Sequence, residues 1–354
     1  MQIDERYMMR CLVLAKGGAY AVAPNPMVGA VVVYQDRIIG EGYHRRYGEA
    51  HAEVSAIAAV GDEHLLREST LYVNLEPCSH YGKTPPCAGL IIRKGIPRVV
   101  VGTFDPFPAV TGRGVQMLRE AGVEVVVGVL KKEAMHLNRF FMTAHTKQRP
   151  YVILKWAQSV DGFTDRIRTS CLAPPVQFST PATRRYVHQL RSEVSAIMVG
   201  TNTAVLDNPS LTVRHWAGDS PTRIVLDRSL RIPVSHGLFD GTVQTLVFTE
   251  CLAESRDNVE YVRIDFSNSV IQQVLHVLFE RKQNSLIVEG GTWLQQHFLE
   301  AGLVDEIRIE TSPMLLNDGV KAPHIQSVKL SEAERLFFEH ANKNDKSIIT
   351  IYTC

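Results

Sequence analysis

The sequence has almost no excess of charge of either sign. Its 354 residues include 38 Lys and Arg against 37 Asp and Glu, which gives a formal net charge of +1. Because a protein that grips a nucleic-acid backbone usually presents a broad basic surface, we expect no nucleic-acid partner. A small anionic substrate needs only a few local Lys or Arg side chains.

Long hydrophobic runs and cysteines are also scarce. No run approaches the roughly 18 apolar residues of a membrane span, and residues 1–6 carry acid where a signal peptide carries basic and apolar residues. We therefore expect no membrane partner. Six cysteines in a chain of this length do not indicate a disulfide framework. Cysteines that must stay thiolates to hold a metal favour a reducing compartment, so we expect a cytoplasmic protein.

One group of metal-binding residue types stands out in the first half: His51, Cys78 and Cys87, with Glu53 beside the histidine. An imidazole and two thiolates are ligands that Zn²⁺ prefers, and a fourth position left open for water makes such a site catalytic. Bound zinc lowers the pKa of that water from about 15.7 to roughly 7. Glu53 is not needed as a ligand, so we predict that it carries a proton from the water to a leaving amine.

The spacing of the cysteines departs from the common pattern. Zinc deaminases typically show His-x-Glu followed by Pro-Cys-x-x-Cys, whereas eight residues lie between Cys78 and Cys87. A structural zinc knot, with His80 as the fourth ligand, or two unligated core cysteines would be the alternatives. The catalytic site is favoured because a fold-stabilising zinc normally needs four protein ligands.

Strand-like and helix-like segments alternate along both halves, which predicts an α/β layered fold. The character of the sequence changes near Arg149 and Pro150, so we predict two domains, residues 1–147 and 148–354. Asp4 is expected to cap a first helix, and further helices are expected at 51–59, after Pro86, at 112–121 and up to Glu300. The predicted strands cover residues 28–34, 71–75, 99–101, 123–127, 151–154, 196–200, 223–227 and 285–289.

Residues 76–87, together with residues 24–29, resemble the deaminase half of the bifunctional riboflavin-biosynthesis deaminase/reductase family. In that family the long loop between the cysteines, with its Lys-Thr pair, is the usual form. The resemblance implies a cytidine-deaminase-like three-layer domain. It also implies substrate contacts at Asn25, Lys83 and Thr84, of which Lys83 suits a phosphate.

The stretch from Lys155 to about Asp318 resembles the reductase domain of the same family, which implies a dihydrofolate-reductase-like fold that uses NADPH. A Rossmann domain is not expected, because no Gly-x-Gly-x-x-Gly fingerprint follows a predicted strand. The cofactor contacts that the resemblance implies are Gln158, Thr203, Asp207, Gly291, Thr292, Trp293, Leu294, Gln295, Gln296 and His297. The substrate contacts that it implies are Lys155, Arg191, Leu211, Arg214 and Glu289.

Part of this assignment is physically sensible. Arg191 and Arg214 can hold a ribose 5-phosphate through charge-assisted hydrogen bonds, although each arginine taken alone could instead form a surface ion pair. Lys155 and Glu289 are candidates to bind the sugar and manage the proton that accompanies hydride transfer. The two glycines at 290 and 291, between a strand and a helix, could cradle a phosphate or form a tight turn.

One segment departs from the family. Where the family usually reads Ser-x-Trp-Ile-Thr, residues 174–180 read Pro-Pro-Val-Gln-Phe-Ser-Thr after extra residues. The serine that would meet the substrate and the tryptophan that would meet the cofactor are missing, so neither role transfers. Phe178 could replace part of the aromatic surface.

The sequence thus predicts an enzyme of riboflavin biosynthesis with Zn²⁺ and NADPH as cofactors. Its first domain would hydrolytically deaminate 2,5-diamino-6-(5-phosphoribosylamino)pyrimidin-4-one, and its second domain would reduce the ribosyl group to ribityl. The expected partners are this small phosphorylated pyrimidine and further copies of the chain in a homo-oligomer. One alternative is a nucleic-acid-editing deaminase, which should show a basic surface and stacking aromatics. The other is a zinc nucleobase deaminase whose second half is a non-catalytic binding or oligomerisation module.

Overall fold

The computed structural model describes residues 2–79, 86–107, 111–325, 329–339 and 346–354. The chain divides into two compact units, Met1–Gln148 and Arg149–Cys354. This division lies next to the predicted limits of 1–147 and 148–354, and the assignment of one activity to each domain stays a prediction. Within the described residues, no helix is both long enough and apolar enough to cross a bilayer.

The first unit contains one five-stranded sheet with helices on both faces. Its strands are β1 (Gly29–Tyr34), β2 (Arg37–Tyr43), β3 (Thr70–Leu75), β4 (Arg98–Thr103) and β5 (Glu124–Val127). Its helices are α1 (Ile3–Ala15), α2 (Ala52–Ala58), α3 (Cys87–Lys94), α4 (Arg113–Glu120), α5 (Lys131–Leu137) and α6 (Arg139–Lys147), with 3-10 turns at Lys16–Gly18 and Glu63–Glu68. The strand order is β2-β1-β3-β4-β5. Strand β1 runs antiparallel to both its neighbours, whereas β3, β4 and β5 are parallel.

The central strands of this unit are buried on both faces, which gives the unit three layers. Ala30 and Val32 of β1 pack on one side of the sheet with residues of α2, α3 and α4. Val31 and Val33 pack on the other side with residues of α1. Because successive strand side chains point to opposite faces, a strand that is apolar at every position needs a layer of helices on each side.

Helix α1 begins differently from the prediction. Gln2 is its N-cap residue, and Asp4 lies inside the first turn. The Asp4 carboxylate instead accepts hydrogen bonds from Arg98 at 2.8 Å and from the Tyr72 hydroxyl at 2.7 Å. The predicted cap at Asp4 is therefore wrong, because distant residues of the sheet provide its hydrogen-bond donors.

The packing of α1 on β1 also requires Gly29, where a Cβ atom would lie 2.2 Å from the Cys11 carbonyl oxygen.

The second unit contains eleven strands among its described residues, nine in one large sheet and two in a separate small one. Its strands are β6 (Tyr151–Gln158), β7 (Phe163–Asp165), β8 (Ala196–Gly200), β9 (Thr222–Leu226), β10 (Thr245–Thr249), β11 (Val259–Arg263), β12 (Ser285–Gly290), β13 (Glu306–Thr311), β14 (Val320–Lys321), β15 (Ser331–Glu339) and β16 (Lys346–Thr353). Its helices are α7 (Pro181–Glu193), α8 (Thr201–Asp207), α9 (Val270–Glu280) and α10 (Thr292–Glu300), with a 3-10 turn at Gly237–Phe239. The order in the large sheet is β11-β10-β9-β8-β12-β6-β13-β16-β15, and β14 pairs separately with β7.

The strand order places β12, β6 and β13 side by side at the middle of the large sheet, all parallel. Leu154 and Trp156 of β6 face the apolar core, where residues of α9 and α10 also pack. Lys155 lies between them in the sequence and therefore points to the opposite face. In the pairing with β13, Lys155 is level with Arg308, and Ala157 is level with Glu310. The second face of these strands is consequently charged.

The predicted strands and helices of both halves are present, with ends that differ by a few residues. The patterns missed several elements, notably β2, β13, β15, β16 and α7. Strand β15 is exposed at most positions, so it lacks the alternation of buried and exposed residues that identifies a strand. Helix α7 is preceded by the altered segment 174–180, and Thr180 caps it by accepting a hydrogen bond from the Thr183 amide at 3.1 Å.

Candidate active sites

The first unit brings His51, Cys78 and Cys87 together at the ends of three elements. His51 is the N-cap residue of α2, Cys78 follows β3, and Cys87 is the first residue of α3. Their ligand atoms all lie within 4.8 Å of one another. The Nδ1 atom of His51 is 3.6 Å from Cys78 Sγ and 3.3 Å from Cys87 Sγ. One imidazole nitrogen and two sulfurs at these separations fit Zn²⁺.

Hydrogen bonds prepare the two thiols for a metal. The Cys87 backbone N–H points at Cys78 Sγ from 3.3 Å. The hydrogen bond from the Cys87 thiol, followed by those from His51 and the Cys87 amide, lowers the pKa of Cys78 to about 4. The pKa of Cys87 is raised, first by its hydrogen bond to Cys78 and then by burial. The two pKa values thus shift in opposite directions, and because a metal is held by thiolates, its binding would displace the proton from Cys87.

Glu53 lies in the first turn of α2, two residues after His51, and only 3% of its surface is exposed. Glu53 is not one of the three residues whose ligand atoms lie within 4.8 Å of one another. Burial, and then the negative charge of Cys78, raises the pKa of Glu53 to about 7. A carboxyl group with such a pKa can exchange protons near neutral pH, which suits an acid–base role beside a metal-bound site.

His44 lies beside this cluster, although the sequence analysis did not identify it. Its ring is 5.7 Å from the ring of His51, and burial lowers the pKa of His44. Nδ1 lies 3.1 Å from the Ala50 carbonyl oxygen, which can only accept, and Nε2 lies 3.2 Å from the Asn25 Nδ2 atom. The neutral ring therefore donates to Ala50 and accepts from the Asn25 amide, so the Asn25 carbonyl oxygen stays available as an acceptor.

The motif at residues 76–87 contains other polar residues besides the two cysteines. The carboxylate of Glu76 accepts hydrogen bonds from the backbone N–H groups of Asp105 at 3.2 Å, Gly112 at 2.9 Å and Val115 at 3.1 Å. Its role is to fasten the loop before α4 to the end of β3. His80, Lys83 and Thr84 lie outside the described residues.

The second unit contains a cavity of about 1250 Å³ beside the carboxyl ends of β6, β8, β9 and β12. This edge of a parallel sheet is where ligands usually bind. The predicted site residues that line the cavity are Lys155, Thr203, Asp207, Glu289, Gly291, Thr292, Trp293, Leu294, Gln295 and His297. Gly291 has a φ of +85° and is the N-cap residue of α10, so the glycine pair does turn the chain into a helix beside the cavity.

Several of the predicted residues already have protein partners. The Gln295 amide donates to the carbonyl oxygens of Lys155 at 2.9 Å and Val288 at 3.0 Å. Gln158 accepts a hydrogen bond from Trp156 Nε1 at 2.7 Å. Gln296 donates to Glu300 at 3.2 Å. Gln295 therefore holds part of the cavity wall in place, whereas Gln158 and Gln296 are not among the residues that line the cavity.

Arg191 and Glu289 form a buried, two-pronged ion pair, with distances of 2.9 Å and 2.6 Å. Burial alone would raise the pKa of Glu289, but the positive charge and hydrogen bonds of Arg191 lower it. Arg191 therefore does not form the surface ion pair that was the alternative for this residue, because its ion pair with Glu289 is buried. It also donates to the Thr212 carbonyl oxygen at 3.1 Å, which fastens α7 to the loop after α8.

The predicted substrate contacts Leu211 and Arg214 lie on that loop and are not among the residues that line the cavity. Leu211 is buried and has a positive φ of 52°. The Arg214 backbone N–H donates to His188 Nδ1 at 2.9 Å, and its guanidinium donates to the Thr212 hydroxyl at 3.1 Å. Asp207, a predicted cofactor contact, is ion-paired with Arg168, a residue that the sequence analysis did not identify.

The altered segment supplies part of the cavity wall. Pro175, Val176, Gln177, Phe178 and Ser179 all line the cavity. Phe178 lies in the cavity wall and is only 5% exposed, and the replacement of the missing aromatic surface by its ring stays a prediction. The Ser179 hydroxyl donates to Glu310 Oε2 at 2.7 Å. Nothing in the sequence indicated Glu310, because its partner is distant along the chain.

Comparisons with known proteins match both units. Residues 150–348 match the family described as RibD C-terminal domain. Residues 1–103 match the cytidine and deoxycytidylate deaminase zinc-binding region. The riboflavin biosynthesis protein RibD of Aquifex aeolicus is 40% identical over 324 residues, which covers 90% of this chain and 89% of that protein.

Solved structures give the same match over the whole chain. The deaminase/reductase of Thermotoga maritima, described as a diaminohydroxyphosphoribosylaminopyrimidine deaminase and 5-amino-6-(5-phosphoribosylamino)uracil reductase, superposes with a TM-score of 0.88. It is 37% identical, with 99% of each chain covered. RibD of Acinetobacter baumannii gives a TM-score of 0.85 at 32% identity, again with 99% of each chain covered.

Proposed function

The chain belongs to the RibD family of bifunctional riboflavin-biosynthesis deaminase/reductases, and from that premise we propose how its two units divide the two reactions. It is a zinc-dependent deaminase and an NADPH-dependent reductase of riboflavin biosynthesis. The predictions of family, function and cofactors are confirmed. The predicted α/β fold is also confirmed, with a cytidine-deaminase-like first unit and a dihydrofolate-reductase-like second unit.

The first unit deaminates 2,5-diamino-6-(5-phosphoribosylamino)pyrimidin-4-one. His51, Cys78 and Cys87 would hold Zn²⁺, which when bound would supply the Lewis acidity that lowers the pKa of a water molecule. Glu53 takes up the proton of the water as its oxygen adds to C2 of the pyrimidine. Glu53 then gives a proton to the 2-amino group, the C2–N bond breaks, and ammonia leaves. The carbonyl oxygen of Asn25, oriented by His44, accepts a hydrogen bond from the substrate.

The second unit reduces the ribosyl group of the deaminated product. Thr203, Asp207 and residues 291–297 would hold NADPH, which when bound would supply the hydride for C1 of the sugar. Lys155 donates a proton to the ring oxygen as the C1–O bond opens. Arg191 and Glu289, joined as an ion pair, fix the side of the cavity that faces the sugar. Arg214 contributes positive charge for the 5-phosphate.

The observation that carries this proposal is the buried Glu53 carboxyl next to a nitrogen–sulfur–sulfur ligand set in one unit, with a cavity lined by Lys155 and Glu289 in the other. The test assays each step separately with purified full-length protein. We expect ammonia release from the diaminopyrimidine and NADPH oxidation with the deaminated product. Ammonia release without any NADPH oxidation would instead indicate a deaminase with a non-catalytic second unit.

Two further features of the protein are part of the proposal. We propose a homo-oligomer, which light scattering during size-exclusion chromatography would test. We also propose that the enzyme works in the cytoplasm, where a reducing environment keeps Cys78 and Cys87 able to bind metal. Cell fractionation with an antibody against the chain would test the second point.

A further inference from the structure

Glu310 is a buried carboxylate at the reductase cavity with an unusual set of partners. It lies on β13 and is 0% exposed. Its Oε2 atom accepts a hydrogen bond from Ser179 at 2.7 Å. Its Oε1 atom has no hydrogen-bond partner among the residues that the structure describes. A buried acceptor without a partner is destabilising, so a carboxylate at this position calls for a compensating interaction.

The nearest cation to this carboxylate is Lys155, whose Nζ atom is 4.0 Å from Glu310 Oε2. The pairing of β6 with β13 puts both side chains on one face of the sheet, with Glu310 level with Ala157, two residues beyond Lys155. Both strands are central in the sheet. The separation of the two charges is therefore set by the backbone rather than by a mobile loop.

The other nearby carboxylate cannot take the place of Glu310. Both oxygens of Glu289 are engaged by Arg191, at 2.9 Å and 2.6 Å. Glu289 is thus already paired, whereas Glu310 is a second carboxylate within 4.0 Å of the Lys155 ammonium. Opposite charges attract more strongly where water is largely excluded, and Glu310 supplies the opposite charge nearest to the partly exposed Lys155 ammonium.

Glu310 also connects Lys155 to the altered segment. Ser179, its hydrogen-bond donor, lies in the segment 174–180 and lines the cavity, as Lys155 does. The hydroxyl of Ser179 fixes the Oε2 atom of the carboxylate, and this same atom lies 4.0 Å from the Lys155 ammonium. A shift of the ammonium by about one ångström would complete a charge-assisted hydrogen bond.

We propose that Glu310 is a positioning residue of the reductase, which, anchored by Ser179, holds the ammonium of Lys155 at the cavity wall for proton donation to the sugar. This inference rests on the proposed function, in which Lys155 acts on the substrate. Glu310 itself does not touch the substrate. Its effect is on the placement of Lys155, and catalytic rates are sensitive to displacements of this size.

The test is Glu310→Gln in the full-length protein, because glutamine keeps the volume and can still accept from Ser179 but removes the charge. We expect kcat for NADPH oxidation with the deaminated intermediate to fall about 10- to 100-fold. The KM for that intermediate, the affinity for NADPH and the thermal midpoint should change little. Ammonia release should be unchanged, since its residues lie in Met1–Gln148. Glu310→Asp, which keeps the charge on a shorter side chain, should recover part of the rate.

A double-mutant cycle links the effect to Lys155. In a Lys155→Met background, Glu310→Gln should cause no further loss of kcat, because the two residues act as one unit. The matched control is Glu306→Gln, which removes another buried carboxylate from β13 that is paired with Arg308. That variant should lose stability and keep its kcat. Ser179→Ala provides a second, milder variant that leaves the carboxylate in place and should lower kcat by a smaller factor.

Three results would overturn the inference. The first is a Glu310→Gln protein with the kcat of the wild type. The second is losses that add fully in the double mutant. The third is a protein in which kcat, NADPH affinity and thermal midpoint all fall together, as a purely structural role would produce. If Glu310→Gln does not fold, a wild-type kcat in Ser179→Ala would equally overturn it. A wild-type protein that fails to oxidise NADPH refutes the proposed function itself, and the inference with it.

Discussion

Replacing Glu53 by glutamine separates metal binding from proton transfer. Glu53 is not one of the three residues whose ligand atoms lie close together, and only 3% of its surface is exposed. Glutamine has nearly the same shape but cannot take up and release a proton. The variant should therefore keep one zinc per chain and lose ammonia release. Its stability should not fall, because burial of a neutral amide is less unfavourable than burial of a charge.

The size of the loss follows from the role. General acid–base catalysis typically contributes about 10²- to 10⁴-fold to a rate. Each factor of ten corresponds to about 1.36 kcal/mol of transition-state stabilisation, so a hundredfold loss is about 2.7 kcal/mol. We expect at least this loss, because Glu53 is proposed to move the proton in both the addition of water and the departure of ammonia.

Three measurements on one preparation test the reasoning. Ammonia release reports the deamination, elemental analysis reports the zinc, and NADPH oxidation with the deaminated intermediate reports the second unit. Glu63→Gln is the control, since Glu63 lies in the same unit but forms an exposed ion pair with Lys94. Near-normal ammonia release by Glu53→Gln would refute the proton-transfer role. Loss of zinc from that variant would show that Glu53 supports the metal instead.

Three further predictions concern other parts of the chain. Cys87→Ala should abolish tight zinc binding. The control Cys251→Ala, which removes a free thiol of the second unit, should retain one zinc per chain. Full zinc in Cys87→Ala would contradict the ligand assignment. A fragment of residues 147–354 should fold, bind NADPH and reduce the deaminated intermediate, and a folded fragment that does neither would show a disabled domain. Burial, and then the charge of Arg191, lowers the pKa of His188 to about 4. Between about pH 6.5 and pH 4 the unfolded chain therefore takes up a proton at His188 that the folded chain does not. The free energy of unfolding should consequently fall as the pH falls, and it should fall less in His188→Gln. Thermal unfolding of both proteins at pH 7 and pH 5 would measure this difference.

The sequence alone was sufficient for the local parts of the deaminase site. His51, Cys78 and Cys87 are residue types that bind zinc, and Glu53 is two residues from the histidine. The apolar strands around them, such as β1 and β4, are buried on both faces. A short spacing and a continuous apolar run are properties of the chain before it folds, so they can be read directly.

Elements that depend on a distant partner were not predictable in the same way. Asp4 has the composition of a helix cap, but its carboxylate binds Arg98, 94 residues away, and Gln2 takes the cap position. His44 is ordinary in the sequence, yet its two hydrogen bonds orient the amide of Asn25 beside the metal ligands. In each case, the available hydrogen-bond donor or acceptor comes from another element of the fold.

The tertiary structure alone decided the charged centre of the reductase unit. Arg191 meets Glu289 across 98 residues, and Ser179 meets Glu310 across 131 residues. Lys155 reaches Glu310 because β6 lies between β12 and β13 in the sheet, although these strands are far apart in the sequence. Parallel strands need long crossover connections, so neighbours in such a sheet are seldom neighbours in the chain. The sequence determined which charges exist, and the strand order determined which of them are paired.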